Sequence, residues 1–178
     1  MKINELHTSR LLLRLWKESD LSVFAEMNSN TKVMEYFPSK LSVNESNTFA
    51  EKITNLISER GWGLWAVEEK ESNKFIGFTG LHEVGNDLPF SPAIEIGWRL
   101  SDKYWGKGYA TEAAFKVLEF AFAELELKEI VSFTSKINLK SIAVMERIGM
   151  SNTNCNFLHP KIVDAHPLQE HVLYKINK

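Results

Sequence analysis

Arg10 to Trp16 reads RLLLRLW, an apolar run broken by two arginines, and predicts a strand covered by its neighbours. Lys17-Glu18-Ser19-Asp20 supplies helix-start chemistry, and Leu21, Phe24, Ala25 and Met27 follow at helical spacing. Ser42-Val43-Asn44-Glu45 has the Ser-x-x-Glu spacing of a capping box. Phe49, Ile53, Leu56 and Ile57 then recur on one face until Gly61, which predicts a second helix. Gly63 to Glu68 and Phe75 to Leu81 read as the two arms of a hairpin, turned by the polar stretch Glu69 to Lys74. Ala93 to Leu100 (AIEIGWRL) predicts another strand, in which Gly97 marks a bulge or a close backbone approach. Beyond the loop Ser101 to Gly108, the residues Ala114, Val117, Leu118, Ala121, Phe122 and Leu125 draw a helical stripe. Glu129 to Thr134 predicts a strand and Leu139 to Ile148 a helix stopped by Gly149. Met150 to Phe157 and Glu170 to Ile176 predict two closing strands. A hairpin-rich half followed by β-α-β-α-β indicates an α/β chain of the α+β type, with a mixed central sheet of about seven strands and helices on both faces.

Composition narrows the class. The chain has 178 residues, 44% hydrophobic and 25% charged, which is globular rather than disordered and fits one domain spanning residues 1–178. Its formal net charge of −2 lacks the basic footprint of a nucleic-acid binder. The lone Cys155 forms no internal disulfide, anchors no thiolate metal site, suits a reducing compartment and reads as a half-buried filler. His7, His82, His159, His166 and His171 form no H-E-x-x-H, and no Gly-x-Ser-x-Gly surrounds a serine, so neither a metal nor a hydrolase triad is expected. Met1 to Glu5 is not followed by an apolar run, and no window approaches the ~18 apolar residues of a membrane span. A cytoplasmic, membrane-free protein, monomer or homodimer, is the expectation.

The sharpest chemical feature is Trp105-Gly106-Lys107-Gly108-Tyr109-Ala110-Thr111, set between a predicted strand and a predicted amphipathic helix. Small residues let the backbone approach a ligand, and the first N–H groups of a helix welcome an anion such as a diphosphate. A dinucleotide fingerprint needs a third Gly or Ala where Thr111 stands, and a P-loop needs Gly-Lys-Ser/Thr where Gly106-Lys107-Gly108 stands. Neither matches, and a loop of this kind can equally be a plain turn.

With NLKSIAVMERIGM downstream, AIEIGWRLSDKYWGKGYATEAA resembles the GNAT N-acetyltransferase superfamily, and within it the branch of the ribosomal-protein N-terminal acetyltransferases. The resemblance extends to TSRLLLRLW, GLWAVEEKESNKFIGFTGL and the ending EHVLYKI. It implies acetyl-CoA as co-substrate, no metal, and a small-molecule or peptide amine as acceptor. Main-chain groups of Leu100 would pair with the pantetheine arm, and the amides from Gly106 to Thr111 would hold the pyrophosphate. Trp105 replaces the Arg or Gln usual at the head of the motif. Asn138 and Ser141 would touch the cofactor from across the cleft, although both also suit a helix start.

Transfer to an amine needs the neutral amine, an oxyanion donor and a proton source for the leaving thiolate. Glu95, on the strand that leads into the loop, is the candidate base, and a core or ion-pair role is equally open to it. Burial would raise its pKa. Related acetyltransferases place a tyrosine acid where this chain has Met145, so Ser141 becomes the candidate acid. A non-catalytic acetyl-CoA-binding or sensory module is the alternative reading that Met145 allows. The acceptor side falls to Tyr36 and Phe37 in the Met34–Pro38 region and to His159 in the last loop, which favours a peptide N-terminus or modest amine over a polyamine.

Overall fold

The computed structural model describes residues 4–178; Met1 to Ile3, part of the stretch read for a leader, lie outside it. The capping box forms as the spacing predicts. Ser42 Oγ accepts from Glu45 N at 3.3 Å, Glu45 Oε2 accepts from Ser42 N at 2.7 Å, and Gly61 ends the helix α2 (Val43–Arg60) at φ 80°. Before it, α1 (Asp20–Ser29) starts where Asp20 Oδ2 accepts from Lys17 N at 2.8 Å. Both helices bury Phe24, Ala50, Ile53 and Ile57 against one face of the sheet, with Trp16, Ala66, Phe75 and Phe78.

The strands are β1 (Leu6–His7), β2 (Leu11–Arg14), β3 (Leu64–Glu69), β4 (Lys74–Glu83), β5 (Ile94–Leu100), β6 (Glu129–Ser135), β7 (Ser151–Asn152), β8 (Phe157–Leu158) and β9 (Glu170–Asn177). They hydrogen-bond in the order β1-β2-β3-β4-β5-β6-β9-β7, with β8 also on β9. The opposite face carries α3 (Tyr109–Ala123) and α4 (Leu139–Arg147), whose Ala113, Ala114, Val117 and Met145 pack on Leu13, Trp65, Ile76 and Ile96. The mixed sheet with helices on both faces is therefore as expected.

Three expectations are corrected. The strand expected over Met150 to Phe157 is two short pairings on β9. Asn154 takes φ 57° between them, and Thr153 Oγ1 accepts from Cys155 N at 3.2 Å, a local turn that breaks the ladder. Gly97 marks no bulge: the β4–β5 register runs unbroken through Gly80↔Gly97, and a register shift falls between Val67 and Glu68 instead. Cys155 is exposed, because that same turn carries it away from the core.

Two neighbours in the sheet diverge, and this places the site. β5 and β6 run parallel but pair at one position, Glu95↔Val131, whereas β4–β5 and β6–β9 pair along seven residues each. Beyond Glu95 the two strands splay, and a cleft of about 1400 Å³ opens between them.

Candidate active site

Backbone geometry shapes the first wall. Ser101 N donates to Ile76 O at 2.9 Å, so the antiparallel alternation turns the main-chain groups of Trp98 and Leu100 away from β4, toward the side β6 has left. Leu100 O accepts from the Trp105 indole Nε1 at 2.9 Å, which leaves the Leu100 N–H on the cleft side. Trp105 thus staples the loop to the strand, and Lys140 Nζ stands 4.4 Å above its ring.

The loop then turns into α3. Gly106 has φ 74°, and a Cβ built there would meet no protein atom within 4 Å. Gly108, the N-cap, has φ 81°. Left-handed backbone at both positions suits glycine, and the space over Gly106 is left for a ligand. The N–H groups of Tyr109, Ala110 and Thr111 precede the first intrahelical bond, which Glu112 N donates to Gly108 O at 3.0 Å. The Tyr109 side chain turns inward onto Glu69, so this residue offers its backbone only. Arg10 fixes the loop from behind: Nη1 donates to Lys107 O at 3.0 Å and Nη2 pairs with Glu112 at 2.6 Å.

The α4 wall carries Asn138 and Ser141. Asn138 Oδ1 accepts from Ser141 N at 3.2 Å and Nδ2 donates to Thr134 Oγ1 at 2.9 Å, so both ends of the amide hold the helix start. Ser141 Oγ lines the cleft and makes no hydrogen bond among the described residues. Met145, wholly buried against the sheet, has its side chain in the core rather than in the cleft.

The floor is one face of β5, where Glu95, Gly97 and Arg99 alternate. Glu95 is 7% exposed, and its Oε2 lies 3.0 Å from Nε2 of His82, the residue directly opposite on β4. Burial pushes the Glu95 carboxyl above its usual range even though His82 pulls against it. Burial depresses the His82 imidazole, but the bond to Glu95 and the charge of that carboxylate together outweigh it and raise the pKa. Gly97 leaves open space, with Glu95 Oε1 3.9 Å from where a Cβ would stand. Arg99 Nη1 donates to Asn28 Oδ1 at 2.6 Å, and the guanidinium lies 4.0 Å above the Phe37 ring.

The remaining wall carries the residues that the sequence offered for the acceptor side. Tyr36, Phe37 and His159 all line the cleft. The His159 ring packs against His171 with centroids 4.9 Å apart and planes tilted by 47°, and burial lowers the pKa of both imidazoles, which keeps them neutral near pH 7. His166 instead accepts from Leu168 N at 3.1 Å as a turn residue. Sequence reasoning passed over His82, Arg99, Arg10 and His171. Only the register could have shown His82 opposite Glu95, and the long 84–93 connection hides it.

A strand, a glycine loop and a helix N-terminus facing a splayed parallel neighbour form a cradle for an extended cofactor with a diphosphate. Comparison with known proteins agrees. The acetyltransferase (GNAT) domain family matches residues 10–151. The chain is 31% identical over 159 residues to an FsC-acetyl coenzyme A-N(2)-transacetylase of Aspergillus fumigatus, covering 85% of this chain and 67% of that protein. The crystal structure of a GNAT-family acetyltransferase from Bacillus anthracis superposes with TM-score 0.81 at 27% identity, covering 98% of both chains. The ribosomal-protein-S5-alanine acetyltransferase of Vibrio fischeri shares the fold, with TM-score 0.77 at 19% identity over 98% of this chain and 96% of that one. With the cradle, the buried carboxylate and most of its length accounted for in this way, the chain belongs to the GNAT acetyltransferase family and is an N-acetyltransferase.

Proposed function

We propose that this N-acetyltransferase moves an acetyl group from acetyl-CoA directly to a primary amine, a peptide N-terminus or a small-molecule amine, with both substrates bound in the cleft at once. The observation that carries the reading is the splay of β5 from β6 beneath the Gly106–Thr111 loop: it leaves main-chain donors and acceptors unpaired beside a helix N-terminus. Acetyl-CoA supplies an activated thioester. The Leu100 N–H and the Trp98 main chain pair with its amide-bearing arm, and the amides from Gly106 to Thr111 hold its diphosphate. The side chains of Trp105, Asn138 and Arg10 keep this wall in shape, Arg10 through the Lys107 carbonyl, and Lys140 adds positive charge beside it.

Glu95 accepts the ammonium proton of the acceptor through a bridging water. Its raised pKa makes it a stronger base than a surface carboxylate, and His82 orients it. Ser141 Oγ, on the opposite wall and without a hydrogen bond among the described residues, holds the proton for the departing sulfur. Tyr36, Phe37 and His159 enclose the acceptor. The test is acetyl-CoA-dependent acetylation across a panel of peptides, amino acids and polyamines, read by mass and by free thiol. Acetylated amine equal to thiol supports the reading. Acetyl-CoA binding with no transfer to any amine would reduce the protein to a cofactor-binding module.

A further inference from the structure

Arg99 is a cation that the protein itself does not neutralise. No carboxylate pairs with it among the described residues, and its one hydrogen-bond acceptor is the neutral Asn28 Oδ1. Among the described residues the buried Nε has no partner, and neither does Nη2. Burial alone, with nothing to offset it, lowers its pKa to about 10. The rings of Phe37 and Phe78, 4.0 Å and 5.4 Å from the guanidinium carbon, hold it in place. A charge taken out of water without an opposite partner is costly, and such a site invites an anion from outside.

Its position says what else the anion is attached to. Arg99 and Glu95 stand on the same face of β5, about 13 Å apart along the strand, with side-chain-free Gly97 between them. A ligand whose amine is near Glu95 can lay an anionic group on Arg99 across the space over Gly97. The cleft lining holds six Lys and Arg side chains, Arg99 among them, against three carboxylates, and each carboxylate is already engaged: Glu83 by Arg60, Glu95 by His82 and Glu112 by Arg10. Such a lining disfavours polycations.

We propose that the acceptor is an amine that also carries a carboxylate, an amino acid with an apolar side chain, and that Arg99 binds this carboxylate. Nη2, with no partner among the described residues and not among the buried atoms, can meet a carboxylate oxygen from the cleft side, and Phe37, Phe49 and Ile53 give the side chain an apolar wall. The inference rests on the amine-acetylation reading above and sharpens it.

Matched acceptors that differ only at the carboxyl group test it: phenylalanine against phenylalaninamide, and methionine against methioninamide, with spermidine as a cationic control. Wild type is expected to prefer the acids at least tenfold in kcat/KM, Arg99→Met to erase the preference, and Arg99→Lys to keep part of it. Acetyl-CoA affinity should stay unchanged in both variants, which shows that they are folded. Equal use of acid and amide, use of spermidine alone, or an intact preference in Arg99→Met overturns the proposal while leaving amine acetylation standing. Calorimetry with phenylalanine and phenylalaninamide in the presence of CoA reads Arg99 without turnover. Binding of the acid, weakened at least tenfold in Arg99→Met, supports the proposal, and no binding of the acid by wild type overturns it. Release of thiol with no amine acetylated would instead count against the transfer reading itself.

Discussion

Arg14 and Arg99 occupy one row across the sheet, joined by the cross-strand pairs Arg14↔Ala66, Ala66↔Phe78 and Phe78↔Arg99. Both face the layer of α1 and α2, yet the protein treats them in opposite ways. Arg14, 3% exposed, bonds Asp20 at 2.7 Å and 2.9 Å and Glu68 at 2.6 Å. Burial works against its charge, but the two carboxylates outweigh this and raise its pKa. Arg99 has Asn28 and two aromatic rings, and its pKa falls. A buried cation with complete partners holds a fold together. One left incomplete at a cleft is free to hold something else.

The largest expected effect breaks the first half of that contrast. Arg14→Met strands Asp20 as a buried charge, leaves Glu68 with Lys17 alone, and should cost about 3–5 kcal/mol of stability in denaturant unfolding. Arg99→Met strands no carboxylate and should stay within about 1 kcal/mol of wild type. Equal losses would mean that both arginines are structural.

Next comes the other charged group on the β5 floor. Glu95→Gln should lower kcat about a hundredfold while acetyl-CoA binding persists. The base form of Glu95 exists above its pKa, so wild-type activity falls as pH drops through that pKa, and burial places this limb above the ordinary carboxylate range. The glutamine variant should lose the limb, which a merely structural carboxylate would not produce.

A smaller effect is expected on the main-chain wall. Gly106→Asp puts a side chain and a negative charge into space that no protein atom fills. Acetyl-CoA affinity should drop at least tenfold, or ~1.4 kcal/mol, by calorimetry, with the preference for acid over amide acceptors unchanged. The smallest effect belongs to the rim. His159→Ala removes a ring that packs against His171 and should raise the acceptor KM a few fold without altering acetyl-CoA KM.

Local chemistry was legible where it acts within a few residues. The capping box at Ser42 and Glu45, the stop at Gly61, and the loop that becomes the N-terminus of α3 all follow from short spacings. The placement of the candidate site was legible to the same depth: Glu95 and the Gly106–Thr111 segment line one cleft, where their strand and loop put them. What stayed hidden depends on register and on side-chain partners far apart in sequence. His82 meets Glu95 across a ten-residue connection, and Arg99 meets Asn28 seventy-one residues away. No pattern in AIEIGWRL distinguishes an arginine that finds carboxylates from one that does not. The two-residue strands β7 and β8 were missed for a related reason, since side-chain turns at Thr153 and Asn154 break a run whose composition still reads as strand.

Single-turnover mixing tests direct transfer in the splayed cleft most plainly. Wild-type protein preloaded with isotopically labelled acetyl-CoA is mixed with the amine panel, and thiol, acetylated amine and protein mass are followed together. The account predicts that labelled acetylated amine and free thiol appear at one rate and in equal amounts, with the protein mass unchanged throughout. Thiol released before any amine is acetylated, with the label carried on the protein, would contradict it.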